Sequence, residues 1–214
     1  MFVCLYTEID ELWNDQKLAA KLQLLPEKMQ KDLLIKKIPR NRQQSITGKL
    51  LLIAMLDKFG LSEKFSLDDL LYNQYRRPYF DAAFGFDFSI AHSGNMIICC
   101  GTDKGTVGID IEYMKKIEVT DYTAYFTPYE CDDINNNTNP VDRFYYYWTR
   151  KEAVLKAMGT GMHTDLDTID VSGKKLEYNN ITYCLQELNI DAKYKCHIAT
   201  SAIHSDIEIN RINF

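Results

Sequence analysis

The spacing of apolar residues changes along this 214-residue chain from a helical period to a strand period. Over residues 46–59 apolar side chains recur three or four positions apart, as in an amphipathic helix. Over residues 84–90 they occupy every second position, as in a strand with one buried face. A helical period returns at residues 141–158, before further short apolar stretches. The sequence therefore predicts the α+β class, with two blocks of helices and strands of similar size.

The expected elements fall into two halves. A strand is expected at the start of the chain, followed by one helix over residues 13–29 and another after Pro39. Three short strands over residues 84–112 are expected to form a meander, in which neighbours in sequence pair. Later strands are expected at residues 169–171, 181–185, 196–203 and 207–212. We therefore expect an N-terminal subdomain, residues 1–105, and a C-terminal subdomain, residues 106–214.

Positive charge is concentrated in one segment of an acidic chain. The formal net charge of the chain is −5, yet residues 17–49 contain nine Lys or Arg residues and two Asp or Glu residues. A net-acidic chain is a poor candidate for general nucleic-acid binding, whereas a local basic segment can hold a small polyanion. A solvated helix face explains the same charges, so the segment by itself leaves both interpretations open. No nucleic-acid partner is expected.

The cysteines and the apolar runs bear on where the protein works. Six cysteines show neither a CxxC pair nor zinc-finger spacing and are expected to be reduced thiols. No apolar run approaches the roughly 18 residues that cross a bilayer, and the start of the chain lacks the basic flank of a signal peptide. We therefore expect a cytoplasmic protein with no membrane partner.

Two carboxylates share a strand face within residues 107–112. Side chains alternate along a strand, so Gly108, Asp110 and Glu112 face one side and three aliphatic residues face the other. Like charges at this spacing repel one another unless a cation offsets them, and hard divalent cations take oxygen ligands. The pattern indicates either a divalent-cation site or, as is commoner for such a pair alone, an exposed polar strand face.

A helical segment supplies a third carboxylate. Trp148, Glu152 and Lys156 are spaced four residues apart and therefore share one face of the predicted helix. Together with the strand carboxylates, Glu152 can complete a set of magnesium ligands, and Lys156 can meet a phosphate that the ion also holds. Taken alone, Glu152 and Lys156 form a routine surface ion pair.

Two loops carry further polar groups. His92 and Ser93 lie where one predicted strand turns into the next, and both can donate hydrogen bonds to phosphate oxygens. Arg76 and Arg77 precede Pro78, which favours extended backbone and presents the guanidinium groups in a loop. A structural or surface role is the alternative for each loop.

Taken in their order along the chain, the four features resemble the long-chain type of 4'-phosphopantetheinyl transferase, the enzymes that convert apo carrier proteins to their holo forms. The resemblance covers residues 40–161, and its motifs are weak singly but specific jointly. They stand here as Arg77-Pro78, Ile90-Ala91-His92-Ser93-Gly94, Gly108-Ile109-Asp110-Ile111-Glu112, and Trp148-Thr149-Arg150-Lys151-Glu152 with Lys156. Asn41 and Gln44 replace an aspartate and an arginine of the family pattern. Ala91 replaces a serine and Arg76 a glycine, so altered phosphate contacts are expected.

The resemblance implies a fold and a set of site residues. The implied fold has two similar α/β subdomains related by a pseudo-twofold axis. The implied ligands of Mg²⁺, or of Mn²⁺, are Asp110, Glu112 and Glu152. The implied catalytic residues are Glu152, Lys156 and His92. The implied contacts with coenzyme A are Arg40, Arg42, Ser45, Arg77, His92, Ser93, Lys151 and Lys156.

The resemblance also implies a reaction and a partner. The 4'-phosphopantetheine moiety would pass from coenzyme A to a serine of an apo acyl or peptidyl carrier protein, with release of 3',5'-ADP. Glu152, or a water that it orients, is the implied base. The implied docking surface for the carrier lies near Tyr125 and Phe126, unless these rings pack into the core. A monomer is implied, because long-type members are similar to two fused copies of a shorter relative.

Two other functional classes remain open at this point. A protein that binds coenzyme A or a carrier without turnover would keep the same fold, although the complete set of three carboxylates counts against it. A metal-dependent phosphoesterase would use the same carboxylates without an acceptor protein.

Overall fold

The computed structural model describes residues 1–202 and 206–214 and has long helices packed on small sheets. The helices are α1 (Asp15–Leu22), α2 (Glu27–Leu34), α3 (Pro39–Lys58), α4 (Pro128–Asn135) and α5 (Pro140–Met158). The strands are β1 (Phe2–Glu8), β2 (Leu71–Tyr72), β3 (Pro78–Tyr79), β4 (Asp87–Ser93), β5 (Met96–Thr102), β6 (Val107–Tyr113), β7 (Lys175–Tyr178), β8 (Ile181–Glu187), β9 (Tyr194–Thr200) and β10 (Glu208–Arg211). This mixture confirms the predicted α+β class.

The first four-stranded sheet has the order β10-β1-β5-β4. Strand β5 is antiparallel to both β1 and β4, whereas β10 runs parallel to β1. Helix α3 packs on one face of this sheet, with Leu51, Met55 and Ile97 fully buried in the shared core. The helical spacing of apolar residues in α3 supplies this buried face.

The second four-stranded sheet has the order β6-β9-β8-β7 and is antiparallel throughout. Helix α5 packs on one face of it and buries Val154 and Leu155. The other face of β6 packs against the first sheet through a core that includes Ile109 and Ile111. Strand β6 therefore has one face toward this shared core and the other toward α5, in agreement with the predicted alternation of its side chains.

The junction between the sheets is made by side chains of β4 that accept hydrogen bonds from the backbone of β6. The bonds run from Val107 N to Asp87 Oδ2 (2.8 Å), from Ile109 N to Ser89 Oγ (3.1 Å) and from Tyr113 N to Ser93 Oγ (3.1 Å). The same offset brings Ile111 to Ala91, whose methyl group has no acceptor. The predicted meander is therefore wrong in its last pairing: β6 forms its backbone ladder with β9.

The predicted helix over residues 13–29 is interrupted. Helix α1 ends at Leu22, and α2 begins at Glu27, directly after Pro26. Proline has no backbone N–H, and its ring clashes with the preceding helical turn. Two short helices therefore replace the single helix that the apolar spacing predicts.

The last strand returns to the first sheet. Strand β10 pairs with β1, and the nearby Lys58 of α3 forms a 2.7 Å salt bridge with Glu208. The division into residues 1–105 and 106–214 stays a prediction, and β10 packs with the N-terminal side of that division. The strand expected at residues 196–203 is β9, which ends at Thr200, and residue 203 lies outside the described residues.

Helix α5 begins one residue before the predicted range, residues 141–158, and ends where that range ends. The Asn139 side chain accepts a hydrogen bond from Asp142 N at 3.2 Å, and Pro140 occupies the first turn. Gly159 ends the helix in the left-handed conformation, with φ of 72°. These signals fix where α5 begins and ends.

The structure also bears on the cysteines and on membrane spans. All six cysteines are unpaired thiols, as expected. In the described part of the chain, no helix combines the length and the apolar character needed to cross a bilayer.

A buried histidine lies where β9 packs on α5. Thr149 Oγ1 donates to the carbonyl of Tyr145 at 2.7 Å and lies 2.7 Å from His197 Nδ1. Because the hydroxyl proton of Thr149 is engaged, Nδ1 of His197 carries the proton of the ring and donates to the hydroxyl. Burial, together with the positive charges of Arg150 and Lys195, lowers the pKa of His197 to about 3.

Replacing His197 should flatten the dependence of stability on pH. Below pH 6.5 the unfolded chain binds a proton at this position that the native protein excludes, so stability falls as the pH falls toward 3. Between pH 7 and pH 5, we expect the wild type to lose about 2 kcal/mol more than His197→Gln. Urea unfolding of both proteins at the two pH values measures this difference. Equal losses in the two proteins would contradict the prediction.

Candidate active site

Gly108 sets the distance between β6 and α5. A Cβ atom at this position would lie 1.9 Å from the carbonyl oxygen of Ala153 and 2.4 Å from the amide nitrogen of Ala157. The two backbones therefore touch, which only glycine permits. Glu152 and Lys156 directly precede these two alanines on α5 and are brought next to Asp110 on the same face of β6.

Asp110 and Lys156 form a largely buried ion pair. Lys156 Nζ lies 2.7 Å from Asp110 Oδ1, while Asp110 Oδ2 is buried with no hydrogen-bond partner among the described residues. Burial raises the pKa of Asp110 even though Lys156 acts in the opposite direction. For Lys156, burial acts to lower the pKa, but the charge of Asp110 prevails and raises it. Lys156 is therefore charged at neutral pH, and one oxygen of Asp110 is left for a further partner.

Glu112 is oriented by the hairpin that joins β4 and β5. Ser93 Oγ donates a 2.5 Å hydrogen bond to Glu112 Oε2. Burial raises the pKa of Glu112, and the negative charge of Asp110 adds to the increase. In the structure, Ser93 donates its hydroxyl proton to Glu112. The contact of Ser93 with a phosphate stays a prediction.

Glu152 reaches the same group of charges from α5. Its side chain is half-buried, and burial is the main cause that raises its pKa. The charges of Asp110 and Glu112 raise that pKa further, and Lys156 lowers it. The structure thus brings together the three predicted carboxylates and the predicted lysine, which we call the carboxylate cluster.

The carboxylate cluster fits a divalent cation that takes part of its coordination from a substrate. Burial raises the pKa of each of its three acidic groups, and neighbouring carboxylates raise the pKa values of Glu112 and Glu152 further. Asp110 carries one buried oxygen with no hydrogen-bond partner among the described residues. Within residues 1–202 and 206–214, no Asp, Glu, His and Cys side chains are gathered tightly enough to hold a metal ion by themselves. Mg²⁺ commonly binds one or two carboxylates together with waters and substrate phosphates.

His92 extends the site onto β4, and two lysines extend it further. Partial burial and the charges of Lys156 and Lys36 lower the pKa of His92. Burial and the charge of Lys36 also lower the pKa of Lys49 on α3. Sequence reasoning missed Lys36 and Lys49 as individual site residues, although both lie in the basic segment over residues 17–49.

A cleft of about 240 Å³ opens beside Lys156. Its walls include Tyr75, Phe88 and Leu155, and the ring of Tyr75 lies 4.9 Å from that of His163. Arg76 borders the same cleft in the left-handed conformation, with φ of 64°. Because Lys156 belongs both to the cleft and to the carboxylate cluster, one ligand can contact both.

Part of the chain is similar in sequence to a family of known proteins. Residues 106–207 match the family described as the 4'-phosphopantetheinyl transferase superfamily. This region of the chain is therefore similar in sequence to that superfamily. The matched region contains β6 and α5, which carry all three carboxylates of the cluster.

Curated proteins that are similar to this chain come from bacteria and fungi. A 4'-phosphopantetheinyl transferase of Bacillus subtilis is 31% identical over 142 residues, which are 62% of each chain. A relative in Schizosaccharomyces pombe, named L-aminoadipate-semialdehyde dehydrogenase-phosphopantetheinyl transferase, is 29% identical over 64% of this chain and 58% of its own. The 4'-phosphopantetheinyl transferase Sfp of Bacillus subtilis strain 168 is 30% identical over 58% of this chain and 57% of its own. The chain thus spans about three fifths of the length of these relatives.

Arg77 has a structural role in this protein. Its Nη2 donates to both carboxylate oxygens of Asp87, at 2.9 and 2.8 Å, and its Nε donates to the carbonyl of Lys156 at 2.9 Å. Arg77 therefore holds the last turn of α5 against β4. Its direct contact with coenzyme A stays a prediction.

Three other predicted coenzyme contacts are also bonded within the protein. Arg40 donates to the carbonyl of Ile9 at 3.3 Å and to the side chain of Asn95. Arg42 donates to two carbonyls at the C-terminal end of α2, and Ser45 donates to the carbonyl of Asn41 at 2.8 Å. These bonds anchor the first half of α3, and the coenzyme contacts of Arg40, Arg42 and Ser45 stay predictions.

The structure contradicts the predicted contact of Lys151 with coenzyme A. Lys151 is fully buried on the side of α5 that faces α4, where its Nζ lies 2.7 Å from Glu130 Oε2. It also donates to the carbonyls of Leu166 and Ile169, at 2.8 and 2.5 Å, while Glu130 accepts from Val171 N at 2.9 Å. The strand expected at residues 169–171 is therefore wrong, because this buried ion pair satisfies backbone groups that a strand would have paired.

The structure also corrects the predicted docking surface near Tyr125 and Phe126. Phe126 is only 4% exposed and packs edge-to-face against Phe144, with ring centroids 5.5 Å apart. Tyr125 is exposed and contacts Trp148. Phe126 is therefore a core residue, and only Tyr125 of the pair is available to a partner.

Adding a methyl group at Gly108 should separate α5 from β6. In Gly108→Ala the new Cβ meets backbone atoms of α5, which cannot rotate away, so we expect a loss of at least about 3 kcal/mol in unfolding free energy. Gly173→Ala is the control, because its nearest neighbour would lie at 3.3 Å and its φ is not in the left-handed region. Urea unfolding checks both variants. Equal stability of Gly108→Ala and the wild type would show that the two backbones do not touch.

Breaking the Lys151–Glu130 pair should destabilise the fold. Lys151→Met leaves a buried carboxylate and two buried carbonyls without their donor, so we expect a loss of about 3–5 kcal/mol. Glu130→Gln alone should also be costly, because it leaves the ammonium of Lys151 buried. The double variant should lose clearly less than the two single losses combined. Urea unfolding of the four proteins gives this comparison, and strictly additive losses would argue against a coupled pair.

Proposed function

We propose that this protein is a Mg²⁺-dependent transferase that moves the 4'-phosphopantetheine moiety of coenzyme A to a serine of an apo carrier protein. The observation that carries the proposal is the gathering of Asp110, Glu112, Glu152 and Lys156 where β6 meets α5. The names of the curated relatives support the same activity.

The cationic groups beside the carboxylate cluster are suited to a diphosphate. Lys156 carries a positive charge at the cluster itself, and His92 faces it from β4 as a neutral imidazole that can donate one hydrogen bond. Lys36 and Lys49 lie beyond His92, close enough for mutual repulsion, and an additional phosphate would relieve it. We assign the pyrophosphate of coenzyme A to the first pair and its 3'-phosphate to the two lysines.

The chemistry requires positioning and a base. The serine oxygen attacks the β-phosphorus of coenzyme A and forms one P–O bond, while the bond to the oxygen of 3',5'-ADP breaks and the electron pair leaves with that oxygen. Glu152 accepts the serine proton, directly or through a water that it orients. Burial and the charges of neighbouring carboxylates raise the pKa of Glu152, which makes its carboxylate a stronger base.

The remaining residues of the cluster stabilise the phosphates. Asp110 holds Lys156 at the point where negative charge develops on the leaving group, and Ser93 holds Glu112. When bound by Asp110, Glu112 and Glu152, Mg²⁺ would supply positive charge that screens the phosphate oxygens. The cleft beside Lys156, with its aromatic and aliphatic walls, would receive the nucleoside end of coenzyme A.

The setting of the reaction follows from the same features. We infer a monomer, because a single chain supplies both β4 and the β6–α5 pair to the site. We infer a cytoplasmic location from the six unpaired thiols. The exposed Tyr125 is the part of the predicted docking surface that remains available to a carrier protein.

Replacing the carboxylate of Asp110 with an amide should strongly reduce transfer without unfolding the protein. We expect Asp110→Asn to lower kcat/KM by at least about 100-fold, because the amide cannot hold both Lys156 and a cation. Glu177→Gln, an exposed carboxylate on the edge strand β7, is the matched control and should retain activity. Intact-mass analysis of apo acyl and peptidyl carrier proteins, incubated with coenzyme A and Mg²⁺, measures the transfer.

Two outcomes would contradict the proposed function. One is the absence of any mass gain on every carrier tested with the folded wild type. The other is unchanged transfer by Asp110→Asn. Release of 3',5'-ADP without an acceptor protein would instead favour a phosphoesterase.

Chelation with EDTA should stop the reaction, and added Mg²⁺ should restore it.

A further inference from the structure

Arg76 has a backbone conformation that is costly for a residue with a long side chain. In the loop between β2 and β3, Arg76 N donates to the carbonyl of Asn73 at 2.9 Å, and the φ of Arg76 is 64°. A hairpin turn that ends in the left-handed conformation favours glycine at that position. Among the described residues, the other positive φ values belong to glycines and to Asn179 and Asn180. Asparagine tolerates this region far better than arginine does.

The loop is bonded so that Arg76 cannot relax. The side-chain oxygen of Asn73 accepts hydrogen bonds from the backbone N–H groups of Tyr75 and Arg77, both at 2.9 Å. The side-chain amide of Asn73 donates to the carbonyl of Gly159 at 2.8 Å, where α5 ends. A change of φ at Arg76 would disturb these bonds. The loop therefore holds Arg76 in the left-handed conformation.

The guanidinium group of Arg76 makes no contact in the fold that would offset this cost. It is exposed and forms no hydrogen bond or salt bridge with another described residue. The neighbouring Arg77, by contrast, is bonded to Asp87 and to the carbonyl of Lys156. Strained residues are concentrated at sites that bind ligands. The side chain of Arg76 is therefore available to a ligand in the cleft that it borders.

Arg76 is also one of three cations near a single carboxylate. Burial and the charge of Asp32 raise the pKa of Tyr72, and the charge of Arg76 opposes them. Burial and the charge of Lys36 lower the pKa of Lys49, and Asp32 opposes them. Arg76 and Asp32 thus both act on Tyr72, and Asp32 also acts on Lys49. Because the cations outnumber the acid by two, the group is suited to an anion with about two negative charges, such as a phosphate monoester.

We propose that Arg76 is a specificity-determining residue that binds the 3'-phosphate of coenzyme A together with Lys36 and Lys49. This inference rests on the proposed function and explains why arginine occupies a position that favours glycine. The aromatic and aliphatic walls of the cleft are suited to a base. The planar guanidinium group instead matches two oxygens of a phosphate. Arg76 therefore favours coenzyme A over ligands that lack the 3'-phosphate.

The test compares two nucleotides that differ only in the 3'-phosphate. Calorimetric titration with 3',5'-ADP and with 5'-AMP, both with Mg²⁺ present, gives two Kd values for each protein. Arg76→Gln removes the charge and keeps a side chain on the strained backbone, whereas Arg76→Gly removes the charge and the strain. Arg76→Lys keeps the charge. Lys175→Gln, on the edge strand β7 of the second sheet, is the matched control because Lys175 is exposed.

We expect Arg76→Gln and Arg76→Gly to raise the Kd for 3',5'-ADP by about fivefold or more and to change the Kd for 5'-AMP by less than about twofold. Arg76→Lys should keep part of the preference, and the control should bind both nucleotides as the wild type does. The melting temperature of Arg76→Gly should equal or exceed that of the wild type, because glycine adopts this conformation without strain. In steady-state transfer, Arg76→Gln should raise KM for coenzyme A with kcat nearly unchanged.

Three results would overturn this role of Arg76. One is an equal loss of affinity for both nucleotides, which would assign Arg76 to the base or to the 5'-phosphate. Another is a loss of affinity in Arg76→Gly alone, which would trace the effect to the backbone of the loop. The third is a lower melting temperature in both Arg76→Gln and Arg76→Gly, which would show that the side chain stabilises the fold.

Failure of the proposed function would give a different result. If the wild type modifies no carrier protein but its affinity for 3',5'-ADP depends on Arg76, the transferase activity is wrong and the phosphate contact stands. If transfer occurs while the Arg76 variants change neither the nucleotide affinities nor KM for coenzyme A, the transferase activity stands and the phosphate contact is wrong.

Discussion

At Gly108 the backbone of β6 touches that of α5, because no side chain separates them. This contact determines which charged groups meet at the site. A helix that packs on a sheet through ordinary side chains lies about 10 Å away, too far for short carboxylates on the strand to meet groups on the helix. Direct contact shortens that distance, so Asp110 reaches Lys156 at 2.7 Å. A residue without a side chain therefore determines which side chains can cooperate.

The resulting cluster is electrostatically incomplete in the protein alone. Burial raises the pKa of each of its three acidic residues, and Lys156 offsets only part of the negative charge. A cluster selected for stability alone would carry matched charges or apolar groups. The proposed cation would compete with protons for these oxygens, so its occupancy would depend on pH as well as on its concentration.

Local periodicity was sufficient to predict the faces of β6, because a strand alternates whatever its partners are. It was also nearly sufficient for α5, whose predicted range, residues 141–158, differs from the observed helix by one residue at its start. It was insufficient for Lys151, which adjoins Glu152 in the motif but points to another side of the helix. Its partner Glu130 and the backbone of residues 169–171 lie about 20 positions away in either direction along the chain. The pairing of β6 with β9 was not predicted for the same reason, since no short-range pattern specifies a partner so distant in sequence.

The junction of β4 with β6 is built from side-chain acceptors, whereas an ordinary ladder is built from backbone carbonyls. Every residue brings the same carbonyl, so point mutation cannot remove a bond from an ordinary ladder except through proline. Here each bond depends on the side chain of a single residue, and alanine at position 91 already leaves one position without an acceptor. The stiffness of the boundary between the two sheets is therefore adjustable in single mutational steps, independently of the sheets themselves.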